Sequence, residues 1–144
     1  MKDNKKKEIE AQKLLLRHKI QHSIRATGLS MYPTIMPGWW IFTNPINNTK
    51  LQIGEIVVFA QKDELVLHRI VQINANKILT QGDHNHTHDT WLQRDEIFAR
   101  ATHADFFGKR TNLHTNLRNK LKAIYLYRSK LLRTTVLKIL KIKH

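Results

Sequence analysis

The chain has 144 residues, 41% of them apolar, which is enough to bury the core of one domain. It contains no cysteine, which excludes disulfides, thiolate catalysis and sulfur-ligated zinc or iron. Its formal net charge of +14 favours an anionic partner, whether lipid headgroups, nucleic acid or an acidic peptide, without choosing among them.

The lysine-rich N-terminal region, residues 1–24, has apolar residues at helical spacing, which predicts a short basic amphipathic helix over residues 6–22. The chain contains no run of the roughly 18 to 20 apolar residues that are needed to cross a bilayer. Because no apolar run follows the basic start, the sequence also lacks the pattern of a secretion signal.

Residues 25–108 follow a different pattern, in which short β-branched and aromatic runs alternate with turn-forming Gly, Pro, Asn and Asp. The runs are WWIFTN, GEIVVFA, LVLHRIVQIN and KILTQGD. Their spacing predicts a mainly antiparallel β body. The expected fold class is therefore mainly β, with basic amphipathic helices at both termini.

The C-terminal region, residues 109–144, contains eleven lysines and arginines and no acidic residue. Its apolar residues recur every three or four positions, which predicts one or two amphipathic helices over residues 113–142. Two roles for these helices remain open. They attach peripherally to an anionic membrane, or they pack on the β body or on an identical neighbour in a homo-oligomer.

Ser30 lies in the segment TGLSMYPTIMPG, residues 27–38, which is rich in glycine and proline. A serine becomes a nucleophile when a neutral base accepts its proton, and we select His68 in the predicted strand LVLHRIVQIN as that base. Strand alternation places His68 on one face and Arg69 on the other. A core or interface histidine is the alternative interpretation of His68.

Two aspartates follow the next predicted strand, in the segment TQGDHNHTHDT. A carboxylate in such a loop can orient an imidazole and stabilise its charged form, and Asp83 and Asp89 are the candidates. Each of them, taken alone, is also an ordinary turn aspartate.

The same segment contains alternate histidines at positions 84, 86 and 88. On an extended strand they would project to one side and could bind a transition metal. A polar turn explains them more simply, so we expect neither a metal nor any other cofactor.

In order and spacing, the serine segment and the segments GEIVVF, HRIV and TQGDHN resemble the type I signal peptidases of the serine–histidine kind, in the S24/S26 peptidase superfamily. The resemblance covers about residues 26–104. It implies a catalytic set in which Ser30 is the nucleophile, His68 is the general base, and Asp83 and Asp89 are the acidic partners. It further implies that Gly28, Met31 and Pro33 shape the nucleophile turn and the substrate cleft.

The reaction implied by this resemblance is hydrolysis of a peptide bond through an acyl-enzyme on Ser30. Signal peptidases normally have a transmembrane anchor just before the serine segment, whereas a charged helix is predicted at that place here. The expectation is therefore removal of a leader from a peptide or protein precursor, in the cytoplasm or at the inner face of the membrane.

A nucleic-acid-binding or other interaction module on a peptidase-like scaffold is the alternative function. The basic charge suits a phosphate backbone, but no helix-turn-helix, zinc-finger or aromatic RNA-binding pattern accompanies it. We therefore expect no specific nucleic-acid partner.

Overall fold

The computed structural model describes residues 2–18, 21–46, 49–62 and 64–142 of the chain. Within these ranges it contains a sheet of eight strands with a helix at each end of the chain. The elements are, in chain order, α1 (Lys2–Arg17), β1 (His22–Arg25), β2 (Trp40–Pro45), β3 (Ile56–Gln61), β4 (Glu64–Asn74), β5 (Lys77–Gln81), β6 (Leu92–Gln93), β7 (Ile97–Phe106), β8 (Lys109–Asn112) and α2 (Leu117–Ile142).

The strands lie in the order β1-β2-β7-β3-β4-β5-β6, and β8 pairs with β7. Every pairing between them is antiparallel. The predicted mainly antiparallel β class with terminal helices is confirmed. The four runs identified in the sequence form β2, β3, β4 and β5.

Strand β4 lies between β3 and β5, and its side chains alternate between two parts of the core. Leu65 and Leu67 pack with one buried cluster, whereas Val66 and Ile70 pack with a second. The predicted alternation is therefore confirmed up to Ile70, after which a bulge in the pairing with β5 shifts the register.

Strand β7 was not predicted, although it lies between β2 and β3 in the sheet. Its sequence, IFARATHADF, mixes alanine, arginine, histidine and aspartate, which are not typical of strands. The alanines at positions 99, 101 and 104 are nevertheless buried in the core. Cross-strand pairing and tertiary packing therefore override the weak local preference of this segment.

The N-terminal helix is displaced towards the chain start relative to the prediction of residues 6–22. It ends at Arg17, and His22 already begins β1, which pairs with β2. Residues 19 and 20, which the prediction included, lie outside the described residues. Pairing of the segment HSIR with β2 satisfies its backbone groups in the sheet instead of in a helix.

The C-terminal helix α2 is continuous over Leu117–Ile142, in agreement with the predicted helical region. It packs on the sheet through Ala123 and Leu126, which are buried with Val71 and Leu79. Ahead of it, β8 extends the sheet beyond residue 108. Neither helix, within the ranges that the structure describes, has the length and apolar content to span a membrane.

Candidate active site

The loop between β1 and β2 holds Ser30 and is closed at its base. Backbone hydrogen bonds run from Ala26 N to Trp39 O at 2.9 Å and from Gly38 N to Ala26 O at 2.7 Å. Gly38 has a φ of +89°, a backbone conformation that glycine adopts without the steric penalty of a side chain. The glycine and the two hydrogen bonds therefore make the chain turn back at the end of the serine segment.

Two apolar side chains anchor this loop from inside. Met31 and Ile35 are 3% and 2% exposed, and a hydrogen bond from Ile35 N to Met31 O at 3.0 Å forms a helical turn between them. Ser30 directly precedes this turn and remains partly exposed. Burial of its neighbour thus fixes the backbone next to the hydroxyl while the hydroxyl stays accessible.

The serine loop lies directly against the loop that follows β5. His84 N donates a hydrogen bond of 2.8 Å to the carbonyl oxygen of Ser30. A Cβ atom at Gly82 would lie 2.6 Å from that same oxygen, closer than such atoms approach in proteins. Gly82 therefore permits the close contact that supports the backbone of Ser30.

His68 and Asp89 form a buried pair. Nδ1 of His68 lies 2.6 Å from Oδ2 of Asp89, and the two side chains are 5% and 9% exposed. The same carboxylate oxygen accepts a hydrogen bond of 2.7 Å from the Thr80 hydroxyl. Because a carboxylate accepts hydrogen bonds, Nδ1 of His68 is the donor in this pair, which leaves Nε2 outside it.

Ser30 and His68 both line one cavity of about 590 Å³. Of the three residues that the resemblance implies for the cleft, Gly28 and Met31 also line this cavity, whereas Pro33 is exposed and is not among the lining residues. Within the described residues, no hydrogen bond joins the Ser30 hydroxyl to His68. The structure thus brings the two side chains to the same cavity without a direct hydrogen bond between them.

Asp83 and Asp89 have different hydrogen-bond partners. Its carboxylate accepts two hydrogen bonds of 2.8 Å from Arg69, and both side chains are fully buried. Lys122 of α2 lies 2.8 Å from the same carboxylate, and the Thr34 hydroxyl also donates to it. Asp89 therefore contacts the imidazole, while Asp83 joins the serine loop, β4 and α2.

Charge stabilisation dominates at Asp83. Burial raises the pKa of its carboxyl, but hydrogen bonding and Coulombic attraction from Arg69, with hydrogen bonds from Lys122 and Thr34, outweigh burial and leave the pKa below its ordinary value. The carboxylate is therefore ionised at neutral pH, and its negative charge compensates the buried guanidinium.

The three histidines of this loop lie in a turn region and do not share a strand face. His84 makes an edge contact with Tyr32, and His88 stacks on Tyr127 of α2. Among the residues described, no group of three or more His, Asp or Glu side chains is close enough to hold a metal ion.

Several contact residues were not identified from the sequence. Arg69 directly follows His68, so strand alternation places it on the other face of β4. A buried arginine requires a carboxylate, and this requirement could have identified Arg69 as the partner of an aspartate. For Thr80, the sequence indicated only that it belongs to a predicted strand. Lys122 is one of eleven basic residues in its region, and nothing in the sequence distinguishes it from the others.

Comparison with protein families gives a match to the peptidase S24-like family over residues 2–102. This match spans more than half of the chain and includes all the residues that line the cavity. A comparison with curated proteins found no match to this chain. On the family match, and in agreement with the resemblance of its serine segment, the chain belongs to the peptidase S24-like family of the S24/S26 superfamily.

Proposed function

We propose that this protein is a serine endopeptidase of the serine–histidine kind, which removes a leader or signal-like segment from a precursor peptide or protein. The observation that carries the proposal is the buried His68–Asp89 pair at the wall of a cavity that Ser30 also lines. This pair provides the base that a serine requires, and the family match supports a peptidase scaffold.

In the proposed reaction, Nε2 of His68 accepts the proton of the Ser30 hydroxyl while Oγ attacks the carbonyl carbon of the scissile bond. His68 then gives this proton to the departing amine, which leaves an acyl-enzyme on Ser30. A water molecule, deprotonated by the same imidazole, hydrolyses the ester and restores the serine. Asp89 holds the imidazole in the required tautomer and stabilises its charged form.

The geometry without substrate is compatible with this role for Ser30. Its hydroxyl has no hydrogen-bond partner among the described residues, so rotation about one side-chain bond is enough to redirect it. Catalytic hydrogen bonds are often long or unformed before substrate binds and tighten in the complex. The backbone of Ser30, in contrast, is already fixed by His84 and Met31.

Backbone amides are the proposed oxyanion donors. The Ser30 N–H makes no hydrogen bond within the described part of the chain, which leaves it available for a developing negative charge. Thr27 and Gly28 also line the cavity on the approach to the serine. A free amide beside the nucleophile needs no reorganisation when the tetrahedral intermediate forms.

Histidine is favoured over lysine as the base by the composition of the cavity wall. Other members of the superfamily, the bacterial leader peptidases, carry a lysine where this chain has His68. None of the described residues that line the cavity is a lysine. A neutral imidazole can accept a proton near neutral pH, whereas a lysine would first require a strongly lowered pKa.

Apolar side chains near the site support a peptide substrate. Ile24, Leu65 and Leu67 line the cavity together with Met31. Such a wall favours an apolar residue of the precursor next to the cleaved bond, since burying that side chain contributes to binding. A cavity of about 590 Å³ is large enough for a few residues of an extended peptide.

The test is incubation with a peptide library prepared from cellular protein, followed by mass spectrometry of the new peptide termini. We expect the wild type to produce a consistent set of cleavages that Ser30→Ala abolishes and His68→Ala strongly reduces. Ser23→Ala is the matched control, because this second serine lies on β1 and does not line the cavity. It should cleave like the wild type.

Equal cleavage by the wild type and Ser30→Ala would contradict the proposal. Absence of cleavage by the wild type, combined with salt-sensitive retention of DNA, would favour the interaction module instead.

A further inference from the structure

Helix α2 has two faces with different surroundings. Ala123 and Leu126 face the sheet and are buried against it. On the other side, four large apolar side chains are exposed, and we call them the apolar stripe of α2. They are Leu117, Leu121, Ile124 and Tyr125, which are 73%, 57%, 44% and 71% exposed.

The spacing of the apolar stripe is that of one helix face, because Leu117, Leu121 and Ile124 are separated by four and three residues. A helix on the surface of a globular protein normally presents polar residues to water. The buried side of α2 is already occupied by the sheet, so the stripe does not contribute to the core. A contiguous apolar surface of this kind indicates an interaction site.

Positive charge surrounds the apolar stripe. Arg118, Lys120 and Arg128 are exposed on the same helix. No acidic residue follows Asp105 in the chain, so no carboxylate of this region neutralises them. An apolar helix face with cationic flanks matches the interface of a bilayer, where acyl chains lie beneath anionic headgroups.

We propose that α2 binds an anionic lipid surface, with the apolar stripe in the interface and the flanking arginines and lysine on the headgroups. This inference concerns attachment and does not depend on the proposed peptidase activity. In the sequence, Arg128 interrupts this apolar spacing four residues after Ile124, and Leu131, Leu132, Val136 and Ile139 resume it.

A second copy of the chain and a nucleic acid are less suitable partners for the stripe than an anionic bilayer. A second copy would bring together two regions without acidic residues, and like charges at an interface oppose association. A nucleic acid would engage the basic residues but would leave the exposed leucines and isoleucine in water. An anionic bilayer satisfies both the charge and the apolar surface.

The packing of α2 fixes how the stripe is presented. Lys122 forms an ion pair with Asp83, and Tyr127 stacks on His88, so the helix is tied to the loop after β5. A Cβ atom at Gly54 would lie 3.0 Å from the backbone of Asn119, which shows how closely α2 approaches the sheet. The stripe therefore points away from the sheet without any rearrangement of the helix.

The experiment is co-sedimentation of the full chain with vesicles of phosphatidylcholine alone or with added phosphatidylglycerol, at low and high salt. We expect binding to the anionic vesicles, weaker binding at high salt, and little binding to phosphatidylcholine. The double variant L121S/I124S should lower the partition coefficient by about tenfold or more, because it removes two apolar side chains from the interface. R118Q/K120Q should weaken binding to the anionic vesicles only.

Leu14→Ser is the matched control, because Leu14 is 54% exposed on α1 and lies outside the stripe. It should bind like the wild type, and circular dichroism should confirm that each variant is folded. Absence of binding to anionic vesicles at low salt would overturn the proposal, as would full binding by folded L121S/I124S. Retention of DNA without vesicle binding, or a wild-type dimer that L121S/I124S dissociates, would also overturn it.

Discussion

Lys122 of α2 lies 2.8 Å from the buried carboxylate of Asp83 and donates a hydrogen bond of 2.7 Å to the Thr34 hydroxyl. One ammonium group therefore joins the C-terminal helix to both loops beside the cavity. Asp83 is also held by Arg69 of β4, the residue next to His68. The loop after β5, strand β4, the serine loop and α2 consequently share one network of ion pairs and hydrogen bonds.

This network predicts unequal effects of removing its two cations. Arg69→Met should lower the free energy of unfolding by about 3–5 kcal/mol, because it leaves a fully buried carboxylate without its bidentate partner. Lys122→Met should cost only about 1 kcal/mol, since the lysine side chain is 31% exposed and water screens it. Urea unfolding followed by circular dichroism measures both changes.

Lys120→Met is the control for these two variants. Lys120 is exposed two residues before Lys122 on the same helix, and its removal should change stability by about 0.5 kcal/mol or less. Equal losses for Arg69→Met and Lys120→Met would show that the buried pair does not contribute as described.

The lowered pKa of Asp83 predicts a loss of stability in acid. In the unfolded chain this carboxyl titrates near its ordinary value of about 3.9, and in the folded chain its pKa lies lower. Its stabilising contribution is therefore complete above the ordinary value and is lost as pH falls through the folded pKa. Unfolding free energies measured from about pH 6 down to about pH 3 should decline, most steeply below about pH 4.

Comparison with Lys122→Met isolates this contribution from other carboxyls. The variant lacks one of the contacts that lower the pKa of Asp83, so its stability should fall less over the same acid range. Superimposable acid profiles for the two proteins would contradict the assignment.

Asp89 predicts a kinetic effect, provided that the protein is the proposed peptidase. Asp89→Asn replaces an acceptor of the Nδ1 proton with an amide that can donate, and should reduce kcat by about a thousandfold or more. Thr80→Val removes only one hydrogen bond to the carboxylate and should reduce kcat much less. Rates of precursor cleavage test both, and equal rates for Asp89→Asn and the wild type would exclude the orienting role.

Gly82 predicts a steric effect on the serine loop. Gly82→Ala places a Cβ against the Ser30 carbonyl oxygen, so the two loops must separate, with an expected cost of about 1–3 kcal/mol. Gly28→Ala is the stability control, because an added Cβ at Gly28 meets no atom within 4 Å. Thermal unfolding compares the two, and an unchanged midpoint for Gly82→Ala would contradict the described contact.

Local patterns were sufficient for much of the fold. The β-branched runs of β3 and β4 predict strands from their own residues, and alternation correctly assigned successive apolar side chains of β4 to two different clusters. β7 could not be predicted in this way, because its alanines become strand residues only between two partner strands. Pairing energy of that kind depends on distant segments and leaves no signal in the segment itself.

The candidate site, like the fold, could be predicted only where local sequence carries the information. The serine segment and His68 were predicted from their order and spacing, and the structure brings both to one cavity. The sequence could not assign different partners to Asp83 and Asp89, since both follow the same strand. Their separation depends on which of two adjacent β4 side chains, His68 or Arg69, each carboxylate meets and on the docking of α2, which are properties of the folded chain.

The hydrogen bond between His84 and Ser30 also determines when during biosynthesis the serine loop can be completed. A ribosome-bound chain that has not yet exposed His84 lacks the donor that holds the Ser30 carbonyl. It lacks the ammonium partner of Asp83 until Lys122 has emerged as well. During synthesis the serine loop therefore gains its support in two stages, the hydrogen bond from His84 first and the ion pair of Lys122 with Asp83 second.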